Sequence, residues 1–435
     1  MRKIIKCVLA YMILGIMLIS SFQVSAEEEK PEIESEAAIL MDFNSGKILF
    51  EKDADDKNYP ASTTKIMTAI LAIENLDYST VLTASEEAID IDRDGSNMGI
   101  LSGEQFTVEA LLYGLLVHSA NDAANVLAEG VAGNISDFVV MMNQKAQELG
   151  MSNTNFVNPH GYHDKDHYMS ARDLAALSAY AMKNEKFRAI VATPIHELPP
   201  TEKYEEVRNL SSNNLLLNYT KGNKYLYEPA RGIKTGHTND AGFCLSAFAE
   251  KDGASYVCVT MKSPLKDGEN YSFVDTINLF EYAFENYKMK TISDVDEILA
   301  TAPIKWSNGD DYVRLTTDSA LEILLPADFK EEALQTNISF DKKITAPVKK
   351  GEPLGTIEYF YNDSSLGVIN LVAKEDVGRS NMKMIFGTIF DIIFSAWVMV
   401  PFFILVIILL VIRSYNMKKR RKMREMRRRK NRENF

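Results

Sequence analysis

The sequence is poor in cysteine, which leaves little scope for disulfides or thiol chemistry. Three cysteines occur in 435 residues, and Cys7 lies in the N-terminal leader described below. Cys244 and Cys258 remain, on two predicted strands either side of a turn at 251–254. If that hairpin closes, we expect both to lie diagonally on one face as free, buried residues, with a disulfide as the alternative. No histidine is near in sequence, so neither is predicted to be catalytic.

Histidine is also scarce, with six in the chain, and the sequence has no His-Glu-x-x-His motif. That absence removes a strong zinc signature. His160, His163 and His167 lie close together in sequence, with Asp164 and Asp166 among them, and this spacing also suits a metal site. We predict instead that the three histidines are structural or surface residues. The chain also lacks internal repeats.

A net positive charge is lacking everywhere except at the two ends of the chain. Residues 413–435 carry 12 of the 48 Lys and Arg residues, and the first 26 residues carry three. The rest keeps 33 basic residues against 58 of the 60 acidic ones, a net charge of about −25. So acidic a body excludes nucleic acid as a partner. The composition is otherwise ordinary, with 46% hydrophobic residues, so most of the chain is expected to fold around cores.

Two apolar runs lie near the ends of the chain. Residues 1–26 combine a basic start, a short apolar core and a Val-Ser-Ala ending, which predicts a signal peptide cleaved after Ala26, with a retained anchor as the alternative. The second run, Ile392–Ile412, has 21 residues without a charge and predicts a transmembrane helix within 383–413. By the positive-inside rule, residues 414–435 form a basic cytoplasmic tail and the body lies outside the cytoplasmic membrane. Anionic lipid headgroups are the expected partner of the tail.

The body between these ends divides into two predicted domains. In 27–290, hairpins at both ends of the segment bracket a helical middle, and they must pair into one sheet. We therefore predict an α+β fold, an antiparallel sheet covered by helices. The segment 291–380 predicts a small all-β domain, because short strands alternate with turns. Its predicted strands are Tyr312–Thr317, Ala320–Leu325, Ile344–Pro347, Gly355–Tyr361 and Gly367–Ala373.

The stretch Tyr59-Pro-Ala-Ser-Thr-Thr-Lys carries the first chemical signal. Ser62 and Lys65 are three residues apart at the start of an apolar helix, so they share one face. A serine hydroxyl is a weak nucleophile and needs a base beside it. A lysine can be that base when burial or a neighbouring cation lowers its pKa. On its own, however, Ser-x-x-Lys is common and also describes an ordinary helix cap with a solvated lysine.

Two further short motifs follow in a fixed order. Ser119-Ala-Asn121 lies between two predicted helices, and Lys234-Thr-Gly236 lies on a predicted strand. The order Ser-x-x-Lys, Ser-x-Asn, Lys-Thr-Gly is typical of penicillin-binding proteins and serine β-lactamases. The chain resembles the low-molecular-weight penicillin-binding proteins, the serine-type D-alanyl-D-alanine carboxypeptidases of peptidase family S11. Further stretches that resemble this family are Leu40-Met-Asp, Gly46-Lys-Ile-Leu, Gly150-Met-Ser-Asn-Thr, Asn158-Pro-His-Gly, His167-Tyr and Gly232-Ile-Lys-Thr-Gly-His.

The resemblance implies a fold and a nucleophilic mechanism. The fold is a penicillin-binding or serine β-lactamase-like catalytic domain, followed by the small all-β domain and the membrane helix. Ser62 would attack the carbonyl between two terminal D-alanines and carry the acyl group, and Lys65 would take its proton. Ser119 would relay a proton to the leaving nitrogen. Asn121 would bind the substrate amide and steady Lys65.

The resemblance also assigns the Lys-Thr-Gly strand to substrate binding. Lys234 would be a fixed cation for the terminal carboxylate, and Thr235 would donate its hydroxyl to the same group. Gly236 would let the substrate add to the strand edge. The backbone N–H groups of Ser62 and His237 would form the oxyanion hole, and the His237 side chain would form a pocket wall. No cofactor or metal is implied.

The implied partners are peptidoglycan stem peptides ending in D-Ala-D-Ala, β-lactam antibiotics as covalent inhibitors, and the cytoplasmic membrane. Two alternatives stay open at this point. The first is a β-lactamase. A class A β-lactamase needs a further glutamate for deacylation, and Glu205-Glu-Val-Arg-Asn209 only loosely resembles the motif that carries this glutamate. A non-catalytic penicillin or cell-wall sensor is the other, suggested by the membrane span.

Overall fold

In the computed structural model, residues 30–91, 95–295, 297–340, 343–362, 364–394 and 396–432 are described. The predicted signal peptide and its cleavage site lie outside these residues. The chain divides into two compact units. The first ends at Met289 and also includes Leu324–Ala327, and the second comprises Lys290–Ile323 and the residues from Asp328 on. The division falls beside the predicted domain boundary at residue 290.

A five-stranded antiparallel sheet is the centre of the first unit, in the order β2-β1-β9-β8-β7. Strands from the two ends of the segment meet in it, because β1 pairs with β9 along its whole length. This confirms the predicted α+β fold. The strands of this unit are β1 Ala37–Asp42, β2 Ile48–Lys52, β3 Val81–Thr83, β4 Gln105–Thr107, β5 Ile195–Leu198, β6 Arg208–Ser211, β7 Ala230–Thr238, β8 Gly242–Lys251, β9 Ala254–Ser263, β10 Leu265–Lys266 and β11 Glu269–Asn270.

Helices cover both faces of this sheet. On one face, the last helix of the unit, Tyr271–Asn286, packs in a core around Tyr256. On the other face, a larger core surrounds the first helix, Lys65–Asn75, most of whose residues are buried. The helices are α1 Lys65–Asn75, α2 Glu86–Ile89, α3 Val108–Leu116, α4 Asn121–Ala132, α5 Ile135–Glu148, α6 Ala171–Met182, α7 Glu185–Val191 and α8 Tyr271–Asn286. Side-chain caps begin all of these helices except α1 and α4. Ser170 Oγ, for example, accepts from the Asp173 N–H at 3.1 Å, as its position before α6 predicts.

The two cysteines lie on opposite faces of the sheet, so the predicted diagonal arrangement is wrong. The hairpin does close, with Lys251 opposite Ala254, but its register places Cys258 opposite Ala247. Cys244 is three residues from Ala247 in a bulged stretch, and an odd separation along a strand reverses the face. Cys244 packs into the α1 core and Cys258 into the α8 core, and both thiols are free.

The second unit contains a six-stranded sheet in the order β16-β18-β19-β14-β13-β17. It is the predicted all-β domain: the sheet contains four of the five predicted strands, β14, β17, β18 and β19, and two that were not predicted, β13 and β16. Both were missed because their outward residues are exposed and their apolar alternation is weak. The remaining strands are β12 Tyr287–Ser293, β13 Ala300–Lys305, β14 Tyr312–Thr317, β15 Leu321–Pro326, β16 Leu334–Phe340, β17 Ile344–Thr345, β18 Pro353–Tyr361 and β19 Ser364–Ala373.

The apolar C-terminal segment is divided between two helices, α9 Asn381–Ile393 and α10 Ala396–Arg432. The predicted transmembrane segment, 383–413, therefore includes parts of both helices, because the chain leaves the helix at Phe394. Within the described part of the chain, one helix is long and apolar enough to cross a membrane, at Trp397–Arg427. α10 continues into the basic tail as far as Arg432.

Candidate active site

Ser62 lies in a short 3-10 helix, Ala61–Thr64, that leads directly into α1. The sequence folds this way because Pro60 precedes the helix and the residues after Lys65 are almost all buried in the core. Lys65 is fully buried, and its Nζ lies 2.9 Å from Ser62 Oγ. The predicted sharing of one helical face thus brings the two functional groups into hydrogen-bond contact.

The Lys65 amine is held by two further oxygens. It donates to Asn121 Oδ1 at 2.7 Å and to the backbone carbonyl of His160 at 2.8 Å. Burial, and next the positive charge of Lys234, hold the pKa of Lys65 well below its usual value, while Asp122 opposes this. The lysine therefore has the environment that a neutral amine requires.

Ser119 and Asn121 lie where α3 is followed by α4, as the sequence predicts. Ser119 is buried with a left-handed backbone, φ +66°, a conformation that costs a non-glycine residue about 1–2 kcal/mol. Asn121 begins α4, and its N–H donates to the Ser96 carbonyl at 2.7 Å. This turn places Ser119 on the wall of the same cavity as Ser62.

The Lys-Thr-Gly motif lies on β7, which is the end strand of the sheet and has one edge unpaired within the described residues. Lys234 is buried, and burial lowers its pKa to about 7. Burial therefore acts against the permanent positive charge that we predict for Lys234. Thr235 and Gly236 line the cavity beside Ser62.

The requirement for glycine at position 236 has a structural reason that the sequence did not reveal. A Cβ at this position would lie 2.7 Å from the Pro60 carbonyl oxygen and 3.1 Å from the Ser62 nitrogen. A glycine is therefore required for β7 to pack against the 3-10 helix. The close approach sets the distance between the strand edge and the serine.

Two cavities meet at Ser62 and His237. The first, here called the Phe273 cavity, is lined by residues that include Ser119, Thr235, Gly236, Phe243 and Phe273. The second, the Asp240 cavity, is lined by residues that include Asn121, His160, His163, Thr238, Asn239 and Asp240. The His237 ring packs against Phe243 with ring centroids 4.3 Å apart, in the pocket-wall position predicted for it. Ser62 is thus accessible from both sides of an extended cleft.

Two residues that support the site were missed from the sequence. Gly161, with φ +81°, lies so close to the 3-10 helix that a Cβ would come within 1.8 Å of the Ala61 carbonyl oxygen. Asp122, buried beside Asn121, accepts from the N–H groups of Met98 at 3.2 Å and Ile100 at 3.0 Å. It therefore holds the loop that carries Ser96. Such close approaches arise between distant segments, and no local pattern signals them.

The three clustered histidines have separate environments. Buried His167 accepts from the Val157 N–H through Nδ1, so its Nε2 donates to Thr64 Oγ1 at 2.8 Å, and burial lowers its pKa to about 4. His160 contributes its carbonyl to Lys65, and His163 packs against the Tyr59 ring. The described residues contain no group of three or more His, Cys, Asp or Glu side chains placed to hold a metal ion.

The segment 205–209 does not supply a glutamate to the cleft. Its Arg208 forms a buried ion pair with Glu104 at 2.9 Å, and its Nε donates to the Met98 carbonyl. Glu205 and Glu206 are exposed, and neither lines the two cavities at Ser62. The segment therefore has a structural role, and not the catalytic role of the class A β-lactamase motif that it loosely resembles.

A serine that contacts a buried lysine, opposite the free edge of an antiparallel sheet, defines a serine acyl-enzyme hydrolase of the penicillin-recognising type. Comparison with known proteins agrees with this class. The family model described as D-alanyl-D-alanine carboxypeptidase matches residues 23–264, and the penicillin-binding protein 5 C-terminal domain matches residues 287–379. The chain belongs to the D-alanyl-D-alanine carboxypeptidase family, peptidase S11.

Similar proteins cover nearly the whole body of the chain. The D-alanyl-D-alanine carboxypeptidase DacA of Haemophilus influenzae is 31% identical over 86% of this chain and 93% of its own length. The corresponding DacF protein of Bacillus subtilis is 29% identical over 86% of this chain and 95% of its own. Among solved structures, penicillin binding protein 5 of Haemophilus influenzae has a TM-score of 0.63 at 28% identity, covering 80% of this chain and 99% of that one.

Proposed function

We infer that this protein is a serine D-alanyl-D-alanine carboxypeptidase, which removes the terminal D-alanine from peptidoglycan pentapeptide stems through an acyl-enzyme on Ser62. The family comparison supports the activity. The observation that carries the mechanism is the 2.9 Å contact between Ser62 Oγ and the fully buried amine of Lys65.

The partners of Lys65 determine what its amine can do. Asn121 Oδ1 and the His160 carbonyl can only accept hydrogen bonds, so together they use two amine hydrogens. A neutral amine has two hydrogens and one lone pair, and the lone pair is then left for the hydroxyl hydrogen of Ser62. Burial and the charge of Lys234 favour this neutral form. Lys65 is therefore the base that removes the Ser62 proton.

Acylation then follows at the carbonyl between the two D-alanines. The Ser62 oxygen forms an ester bond to that carbon, and the C–N bond to the last D-alanine breaks. The proton passes from Lys65 by way of Ser119 to the leaving nitrogen. The backbone N–H groups of Ser62 and His237 stabilise the oxyanion, and losing one such donor typically costs about 10²–10³ in rate.

Substrate recognition uses the free edge of β7. An extended peptide adds to this edge as a further strand, while Asn121 binds its amide. Lys234 and Thr235 bind the terminal carboxylate, and the binding of that anion restores the charge on Lys234. Water then hydrolyses the ester and releases the shortened stem. A β-lactam ring acylates the same serine, so penicillin is a covalent inhibitor.

The protein is anchored in the cytoplasmic membrane by one pass of α10. The apolar part of Trp397–Arg427 supports a span, and the basic residues after it support a cytoplasmic tail by the positive-inside rule. Residues 1–26 are a signal peptide, 27–290 the catalytic domain, 291–380 the all-β domain and 414–435 the tail. The catalytic domain thus acts on peptidoglycan at the outer face of the membrane.

Release of D-alanine from a peptide ending in D-Ala-D-Ala tests this function. The full chain in mild detergent should release D-alanine, penicillin should stop the release, and Ser62→Ala should abolish both release and penicillin labelling. The Ser62→Ala protein should keep the thermal stability of the wild type, which separates lost chemistry from lost folding. Absence of release by the folded wild type would refute the assignment, and rapid turnover of penicillin would favour a β-lactamase instead.

A further inference from the structure

The direction in which a peptide lies in the cleft follows from the proposed function, on which this inference rests. Thr235 lines the Phe273 cavity, and Thr238 lines the Asp240 cavity. The two are about 10 Å apart along β7, at roughly 3.3 Å per residue. A peptide whose carboxylate is held at Lys234 and Thr235 runs past Ser62 and into the Asp240 cavity. The third residue of the stem, which precedes the two D-alanines, reaches that cavity because an extended chain advances about 3.3–3.6 Å per residue.

The Asp240 cavity presents one negative charge to this residue. Among the described residues that line it, Asp240 is the sole carboxylate, and none is a lysine or arginine. Asp240 lies in the turn between β7 and β8 with its side chain 58% exposed, and the nearest ionisable partner, His163 Nδ1, is 3.8 Å away. Partly buried His160, on the same wall, has its pKa lowered to about 3 by burial and is neutral at neutral pH. A positive group entering the cavity therefore meets one carboxylate and no lysine or arginine among the described lining residues.

We propose that Asp240 selects stem peptides whose third residue carries a free amino group. A diamino acid at this position has a side-chain amine that is charged until a crosslink acylates it. An ion pair between exposed groups contributes about 0.2–1 kcal/mol, which corresponds to a preference of up to about fivefold. Asp240 thereby directs the enzyme to stems that have not been crosslinked through their third residue.

Two substrates that differ only in this charge test the proposal. Nα-acetyl-L-lysyl-D-Ala-D-Ala has a free side-chain amine, and its Nε-acetyl counterpart does not. The full-length wild type should have a kcat/KM about two to five times higher for the free amine. Asp240→Asn should bring this ratio to about one by lowering only the value for the charged peptide. The kcat/KM for the acetylated peptide is the internal measure that the active site is intact.

Asp252→Asn is the matched control. It removes the same charge from the turn at the other end of β8, which is ten residues long, or about 30 Å. Its left-handed backbone, φ +51°, suits asparagine, so the variant should fold normally. The ratio should stay at the wild-type value. An unchanged ratio in Asp240→Asn, or an equal fall in Asp252→Asn, would overturn the selection by Asp240. Absence of D-alanine release from both peptides would instead overturn the proposed function and this inference together.

Discussion

In the proposed mechanism, two buried lysines in one cleft have opposite tasks. Lys65 must be neutral to accept a proton, and Lys234 must be charged to bind a carboxylate. Burial lowers the pKa of both, and the charge on Lys234 lowers that of Lys65 further. The arrangement therefore favours a neutral base whenever Lys234 is protonated. A bound carboxylate then favours the charged form of Lys234, while Lys65 remains the neutral base.

The alkaline limb of the pH profile should report Lys234. Its pKa of about 7 means that the free enzyme loses this charge as the pH rises above neutrality. The kcat/KM for a peptide ending in D-Ala-D-Ala should then fall by up to tenfold per pH unit, mainly through KM. The bound carboxylate raises the pKa of Lys234, so kcat should fall only at higher pH. Steady-state kinetics between pH 6 and 9 would measure the alkaline fall of kcat/KM and that of kcat separately.

A substrate without the carboxylate is the control for this prediction. The corresponding peptide amide, ending in D-Ala-D-alaninamide, should react more slowly and should not show the alkaline fall in kcat/KM that begins near pH 7. The same fall for both substrates would contradict the role of Lys234, because it would indicate loss of a group needed for the chemical step.

The contact between Ser62 and Lys65 could be predicted from the sequence, and the contacts that support it could not. Ser62 and Lys65 are one helical turn apart, so their contact is local and their spacing predicts it. Asp122 was missed because its partners, Met98 and Ile100, lie on a distant loop. The charge state of Lys234 depends on burial, and burial is a property of the folded chain rather than of a motif.

At the scale of elements, the position of the 3-10 helix Ala61–Thr64 decides the geometry of the cleft. Gly236 on β7 approaches it from one side, and Gly161 approaches the Ala61 carbonyl from another. Ala61 itself has a left-handed backbone, φ +48°. The helix that carries Ser62 is therefore fixed by two close backbone contacts rather than by its own propensity.

Gly161→Ala should displace this helix. A Cβ within 1.8 Å of the Ala61 carbonyl oxygen and 2.7 Å of Thr64 Oγ1 can be accommodated only by moving the segment. Displacements of about 1 Å at a catalytic group can cost on the order of 10²-fold in rate. We expect kcat/KM for D-alanine release to fall at least tenfold, together with a lower Tm by differential scanning calorimetry.

Gly133→Ala separates backbone strain from the close approach. Gly133 ends α4 with φ +82°, and no atom lies within 4 Å of its would-be Cβ. This variant should lose about 1–2 kcal/mol through the left-handed backbone and keep its activity. If both variants retained the same activity, the contact at Ala61 would not be what positions Ser62.

The accuracy of the sequence prediction at this scale depends on burial. The strand and helix runs with one clearly apolar face were predicted, including α6 at Ala171–Met182. The exposed edge strand β16 was missed because exposure removes the alternation that signals a strand. The faces of Cys244 and Cys258 were misjudged because a bulge and the turn together set the register, and a change of one residue reverses the face.

At the scale of the whole molecule, charge is separated along the chain. The body is acidic, and the positive charge at the C-terminal end follows the apolar part of α10 without a break in the helix. Anionic headgroups attract such a basic segment at about 1 kcal/mol per residue near the surface. The same surface repels the acidic body. Both effects favour one orientation, with the tail on the cytoplasmic side and the cleft outside.

Removing the positive charges of the tail should therefore make the orientation of the protein in the membrane less uniform, but should not release the protein from the membrane. In cells with an intact membrane, a C-terminal tag on the full chain should be protected from external protease while the catalytic domain is cleaved. Replacing Lys418, Lys419, Arg420, Arg421 and Lys422 with glutamine should leave the protein in the carbonate-washed membrane fraction, because the apolar span is unchanged. It should also raise the fraction of accessible tags.

A chain ending at Ser380 should be absent from the carbonate-washed membrane fraction. Retention of this shorter chain would show that α10 is not the anchor, and an accessible tag on the wild type would reverse the orientation.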